Sequence, residues 1–378
     1  MLYITFNDAP SGIYFSQVTS VCRYLEAAFK VRIKLIAFLS VRSFRKNRRA
    51  IQAEYAGAWV IPMIPKLSTW RWNRITLFFI LLILSRKKET VCARGPYAAW
   101  LALKLKKAGL IGKVCLDARG AYQAELNEYP VTDIQSLVRG MAQLEKQVLL
   151  NADFRIAVSQ SLVRYWQTEY GYDQQNHVVI PCTLHPRFQL PLPEFHQLET
   201  ARTTLGFKPD DCLLAYSGSH AGWQSFSMVR NFLSVQLQAN PALKILFLCA
   251  ELPEGIEQDE VFRSRYIRQW MKPSEVRDVL CLCDYGLIIR ESSVTNRVSS
   301  PVKFAEYLAC GLGVLISPGI GDYSDFVEQH GCGQVIKDAQ KPVLLTPLSF
   351  GQKQEWNKLA RARFSKETYQ TEYQKLLA

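Results

Sequence analysis

Residues 284–317 read DYGLIIRESSVTNRVSSPVKFAEYLACGLGVLIS. Two short apolar runs, Tyr285–Ile289 and Gly313–Ser317, bracket a polar loop and a stretch with helical period. Apolar runs this short, bounded by turn residues, predict buried strands. Ser300 followed by Pro301 predicts an N-cap and a proline in the first helical position, and Gly311 predicts the left-handed residue that ends a helix. The segment is therefore a strand, a helix of about ten residues starting at Pro301, and a second strand, which makes one βαβ unit.

The same alternation extends in both directions. Toward the N-terminus the candidate strands are Leu2–Phe6, Arg32–Phe38, Ala58–Pro62, Thr90–Ala93, Lys113–Asp117, Phe154–Val158 and Val178–Ile180. Around the opening segment they are Leu213–Ser217, Lys244–Cys249, Tyr266–Trp270 and Gly333–Ile336. Between the two series, Pro181, Pro186, Pro191, Pro193 and Pro209 fall where no apolar period is sustained. The expected class is α/β: two doubly wound, Rossmann-like domains facing across a cleft at their strand C-termini, where open parallel sheets bind ligands. The boundaries are 1–185 for the first domain, 186–210 for a linker, 211–350 for the second domain, and 351–378 for a C-terminal helix that packs back on the first.

The chain has 378 residues, of which 48% are hydrophobic, enough for two packed cores. Residues 1–120 hold 21 Lys/Arg against 5 Asp/Glu, and the rest of the chain holds 25 against 28. Lys30–Arg49 alone carries eight basic residues and no acid. The field of the first domain draws anions, whether phosphate, acidic lipid or nucleic acid, unless it is simply a solvated basic face. The ten cysteines lie mostly within apolar runs, and no histidine stands near a cysteine pair at zinc-ligand spacing. Cys281 and Cys283 therefore read as buried thiols, which suits a reducing compartment, and no metal site is expected. Leu2–Phe6, followed at once by Asn7, Asp8 and Pro10, reads as a strand and not as a secretory signal, so a cytoplasmic location is expected. Ile75–Leu84, ITLFFILLIL, is half the roughly 20 residues that span a bilayer. A buried helix is the expectation for it, with a helix lying in a membrane interface as the alternative.

The Pro301 helix start carries the chemistry. Its first turn offers unpaired N–H groups and a partial positive charge, a natural anion site. Lys303 in that turn opposes the helix dipole, which makes sense if a phosphate sits there, and Arg290 at the preceding strand end can close on the same anion. Glu306, one turn on, can accept two hydrogen bonds from a vicinal diol such as a ribose. Alternatively, Lys303 and Glu306 form an ordinary i,i+3 surface pair worth about a few tenths of a kcal/mol.

The segment SSPVKFAEYLACGLGVLISPGIGD resembles the nucleotide-binding region of the family 4 retaining glycosyltransferases, group 1 glycosyltransferases of the GT-B fold. The resemblance covers nearly the whole chain: APSGIYFSQV is similar to the family's first glycine-containing loop and CLDARGAY to its DxRG stretch. ADFRIAVSQSLVRYW and VVIPCTLHPRF resemble the end of its first domain, LLAYSGSHAGWQ the opening of its second, and ARFSKETYQTEYQKLL its tail helix. The resemblance implies Glu306 on the donor ribose, Lys303 and Ser299, Ser300, Pro301 and Val302 around the donor phosphates and sugar, and Gly12 on the loop that approaches those phosphates. It places Met271 near the base. Two departures stand out: Val298 occupies the position of the family's first glutamate, so its sugar contact passes to a neighbour such as Asn296, and Ser219, Trp223 and Gln224 stand in the loop that often carries an arginine and a lysine.

The implied activity is transfer of a sugar, with retention, from a nucleotide-sugar to a saccharide or lipid-linked acceptor in surface polysaccharide synthesis. No cofactor or metal is expected, so Arg290, Lys303 and the amides at the helix start must stabilise the leaving diphosphate. Arg94, Asp117 and Arg119, on strand exits of the basic domain, are the acceptor-side candidates, with a cap or ion pair as the alternative for Asp117. Peripheral contact with an anionic membrane suits that domain, and nucleic acid is not expected as a partner. The competing readings are a sugar-nucleotide epimerase of the same fold, for which His220 is the one well-placed histidine, and a catalytically degenerate basic binding protein.

Overall fold

The computed structural model describes residues 1–64, 67–84, 88–129, 135–218, 225–252 and 254–377. It divides into two compact units, Met1–His185 with Lys366–Ala378, and Pro186–Ser365.

The first unit holds one sheet of seven parallel strands in the order β3-β2-β1-β4-β5-β6-β7: Leu2–Phe6 (β1), Lys34–Leu39 (β2), Trp59–Pro62 (β3), Val91–Arg94 (β4), Val114–Asp117 (β5), Phe154–Ala157 (β6) and His177–Val179 (β7). The second holds six parallel strands in the order β10-β9-β8-β11-β12-β13: Cys212–Ser217 (β8), Leu243–Leu248 (β9), Tyr266–Arg268 (β10), Tyr285–Ile288 (β11), Gly313–Ile316 (β12) and Gly333–Val335 (β13). Every strand expected from the sequence is present, with ends displaced by two residues or fewer. Central strands read as continuous apolar runs because helices cover both faces; β1 and the last five residues of β2 are buried throughout. The order reverses between β1 and β4 and between β8 and β11, and ligands bind at such switch points in open α/β sheets.

Several elements differ from the sequence reading. Within 186–210 a helix forms at Phe195–Thr204, started by a Glu194–Gln197 capping box and held by buried Leu198 and by Arg202 on the buried Asp284, 3.3 Å away. The tail divides: Phe350–Phe364 is a helix of the second unit, whose Lys353 Nζ reaches Asp284 Oδ1 at 3.5 Å, and Lys366–Ala378 belongs to the first. There Tyr373 and Leu376 enter the core beside Tyr24. The Asn73–Leu84 helix is buried on one face only, through Leu77, Ile80 and Leu81. All ten cysteines are buried free thiols.

Candidate functional site

In the second unit, β11 runs out at Ile288 and carries Arg290 to the C-terminal edge of the sheet, next to the end of β8. The Arg290 amide donates to Ser317 Oγ beyond β12 at 2.9 Å, and its Nη1 donates to Asn296 Oδ1 at 3.3 Å. Both side chains are buried. Asn296 is held in turn: Nδ2 donates to the Glu291 carbonyl at 3.1 Å, and its amide donates to Ser293 Oγ, which caps the short helix Val294–Val298. Asn296 thus aims the guanidinium through a network of fixed hydrogen bonds. Val298 lies in the same short helix and is buried, so the position carries packing and no charge.

The next helix is Val302–Ala309, one residue later than the capping pattern predicted. Pro301 is the N-cap and makes no side-chain cap. The expected cap, Ser300, lies one residue before it, and its hydroxyl hydrogen-bonds the Tyr323 hydroxyl at 2.7 Å. Ser299 Oγ donates to the Asn296 carbonyl at 2.8 Å, and Gly321, with φ of +53°, passes so close that a Cβ there would lie 1.9 Å from the Ser299 carbonyl oxygen. The turn around Gly321 thereby clamps the backbone leading into the helix. Gly311, with φ of +79°, ends the helix as expected.

The helix is seated by Tyr307. Its ring lies over Gly286 in β11, where a Cβ would stand 2.3 Å from it, and its hydroxyl accepts from the Ser217 amide at the end of β8 at 3.1 Å. This seating turns Lys303 and Glu306 toward the strand ends, where both are half-buried. Lys303 Nζ stands 5.8 Å from the centre of the Tyr216 ring, within cation–π range. Among the described residues no carboxylate lies within 4.0 Å of that nitrogen, so the two residues are not a closed surface ion pair. Burial and the nearby Arg290 charge press the Lys303 pKa down to about 7, against the pull of Glu306. Burial pushes Glu306 up to about 7, opposed by Lys303 and Arg187. Two basic side chains and a carboxylate that burial pushes toward its neutral form stand near a helix start, where a bound anion and a diol donor would offset both shifts.

Met271 lies half-buried on the loop after β10, three strands from β11 on the same sheet edge. Ser219 falls outside the described residues, as do His220, Trp223 and Gln224. Among the described residues no group of three His, Cys, Asp or Glu is arranged to hold a metal ion.

In the first unit a second polar cluster occupies the switch point between β1 and β4. Asp117, fully buried at the end of β5, accepts from Tyr3 at 2.5 Å and pairs with Arg119 at 2.7 Å and Arg94 at 3.6 Å. Arg94 also binds Asp8 at 2.8 Å. Burial opposes the Arg94 charge, and so does Arg119, yet Asp8 and Asp117 keep it firmly ionised. Arg119 Nη1 is buried with no hydrogen-bond partner among the described residues. The structure thus unites Arg94, Asp117 and Arg119. Gly12 opens the helical turn Gly12–Tyr14, and a Cβ there would meet nothing within 4 Å. Just beyond, the chain takes a π-helical turn at Phe15–Thr19, held where Gln17 Nε2 donates to the Thr183 carbonyl at 2.7 Å.

Sequence reasoning missed Tyr216, Tyr307 and Arg187 around the first cluster, and Asp8 and Tyr3 around the second. Asp8 carried a usable signal, since it follows a strand at a switch point. Nothing in the local sequence sets these tyrosines apart, and only the fold shows which atoms their hydroxyls and rings meet.

No protein-family model matches this chain. No curated protein matches it either. Solved structures do. Sucrose-phosphate synthase from Thermosynechococcus elongatus superposes with a TM-score of 0.69 at 13% identity, over 99% of this chain and 97% of that one. HepE from Anabaena, in complex with UDP, gives 0.68 at 13% identity over 100% and 98%. A glycosyltransferase from Rickettsia africae gives 0.67 at 13% identity over 100% and 97%. The likeness establishes the architecture, two parallel-sheet α/β domains of the GT-B type.

Proposed function

We propose that this protein is a glycosyltransferase that takes a sugar from a nucleoside-diphosphate donor and passes it, with retention and without a bound metal, to a saccharide or lipid-linked acceptor. Surface polysaccharide assembly at the inner face of a membrane is the setting that suits its basic first unit. The observation that carries the reading is the Arg290–Lys303–Glu306 constellation at the start of the Val302–Ala309 helix, on the switch point of the second sheet. It is supported by the UDP bound to HepE, a protein of the same fold.

In this reading Arg290, Lys303 and the first-turn amides of the helix meet the donor diphosphate. When the bond from the sugar to the diphosphate breaks, its electron pair moves onto the departing oxygen, and these groups stabilise that charge without reorganising. The acceptor hydroxyl forms the new bond, and nucleoside diphosphate and the acceptor's proton are released. Glu306 accepts from the ribose diol; Asn296 holds Arg290 in position, and Ser299, Ser300, Pro301 and Val302 supply the shape around the sugar. Met271 lies toward the base. Gly12 lies on the loop that would approach the donor phosphates, and Arg94, Asp117 and Arg119 would present the acceptor.

Thermal shift with a panel of nucleoside diphosphates and their sugars tests this. One diphosphate should raise the melting temperature of the wild type by mass action, and Lys303→Ala and Glu306→Ala should each abolish the rise. A panel that leaves the wild type unmoved would refute the donor site.

A further inference from the structure

The Asn73–Leu84 helix crosses from β3 to β4 with no charged residue after Arg74. One face is packed, as described. The other carries Ile75, Phe79, Leu82 and Ile83, exposed by 43%, 59%, 55% and 72%. Their spacing of three, four and seven puts them in one stripe along the helix. Trp72, just before the helix, is 58% exposed and extends the stripe. So many large apolar side chains on one short helix are not the scattered exposure of an ordinary surface.

Cations stand at both ends of the stripe. Arg71 and Arg74 are exposed at its start, where the helix dipole disfavours them and no acid occupies the first turn. At the other end Ile83 and Leu84 border a depression of about 500 Å³ that also takes in Arg32, Lys34, Glu26, Trp59 and Arg23, the last paired with Glu54 at 3.9 Å. Arg32 is exposed, and Trp59 is 42% exposed. The helix has 12 residues and is about 18 Å long, too short for a hydrocarbon core of roughly 30 Å. No described helix is long and apolar enough to cross a membrane.

We infer that this face is a membrane-docking surface, in which Phe79, Leu82, Ile83 and Trp72 enter the boundary between headgroups and acyl chains of an anionic bilayer while Arg32 and Arg74 meet acidic headgroups. The occupant follows from charge complementarity: an apolar stripe bracketed by arginines, in the part of the chain with 21 Lys/Arg against 5 Asp/Glu, matches an anionic lipid surface. A second copy of the same chain would bring like charges together. The inference deepens the reading of a lipid-linked acceptor by naming the surface that brings the enzyme to it.

The test is co-sedimentation of the full chain with vesicles of phosphatidylcholine alone and of phosphatidylcholine with phosphatidylglycerol. Wild type should bind the anionic vesicles and bind less as salt is raised. F79S/I83S should lower the partition coefficient about tenfold or more, and R32E/R74E should remove the preference for anionic lipid. The altered side chains are exposed, so both variants should keep the wild-type melting temperature. Wild type that binds neither vesicle, F79S/I83S that binds as well as wild type, or a wild-type dimer in light scattering that F79S/I83S converts to monomers would each overturn the inference. Nucleotide thermal shift reads the donor site independently, so a missing nucleotide response bears on the transferase reading and leaves the docking face standing.

Discussion

Burial holds Lys303 and Glu306 partly away from their ordinary charge states, and this costs stability. Between pH 4.5 and 7 the folded chain binds more protons at Glu306 than the unfolded chain does, so this residue makes stability fall as pH rises. Between pH 7 and 10.5 the folded chain binds fewer protons at Lys303, so this residue makes stability rise again. The pair therefore contributes a stability minimum near neutral pH. Glu306→Gln should remove the falling limb and Lys303→Met the rising one, each stabilising the ligand-free protein at pH 7 in denaturant titrations followed by circular dichroism. Both should lose the nucleotide response, a combination that an ordinary surface pair would not produce. Arg290 lies deeper and is aimed by Asn296. If it stabilises the leaving diphosphate, Arg290→Ala should cut kcat about 10²–10³-fold in a sugar-transfer assay with the donor that binds. Chelator treatment before the same assay should leave the wild-type rate unchanged, since fixed cations replace a metal in the proposed chemistry.

At the scale of elements, the site depends on how the Val302–Ala309 helix is pressed against β11. The Tyr307 ring occupies the space that a side chain at 286 would fill. Gly286→Ala should destabilise the protein by about 1–3 kcal/mol, the usual cost of overpacking. It should also weaken nucleotide binding, because the ring cannot move without lifting the helix start. Gly12 makes the opposite case. Its position has room for a methyl group and sits in a helical turn, so Gly12→Ala should leave the melting temperature unchanged or slightly raised while reducing turnover. A parallel thermal melt and kinetic assay of the two variants separates a glycine that the fold requires from one that the proposed donor site requires.

Over the whole molecule, the chain is not partitioned in simple sequence order: Lys366–Ala378 rejoins the unit built from the first 185 residues. Tyr373 is buried against Tyr24 in that unit's core. Tyr373→Ala should cost about 3 kcal/mol or more and lower the unfolding midpoint of the first unit selectively, as hydrogen exchange of β1 and β2 would reveal. Alternation of apolar runs with helical periods was enough to read all thirteen strands and the α/β class, because parallel strands buried on both faces leave a local compositional mark. Proline and glycine marked the helix at 302–309 to within one residue for the same reason, since backbone geometry at helix ends is dictated by the nearest residues. Exposure did not follow from such signals. Ile75–Leu84 is apolar but for Thr76, and which of its faces finds a partner depends on helices and strands distant in sequence. Ser300 matched a capping pattern, yet Tyr323, 23 residues away, takes its hydroxyl. Local propensity is decided within a few residues and so can be read from them. The burial that shifts Lys303 and Glu306, and the hydrogen bonds that aim Arg290, come from atoms that only folding brings together.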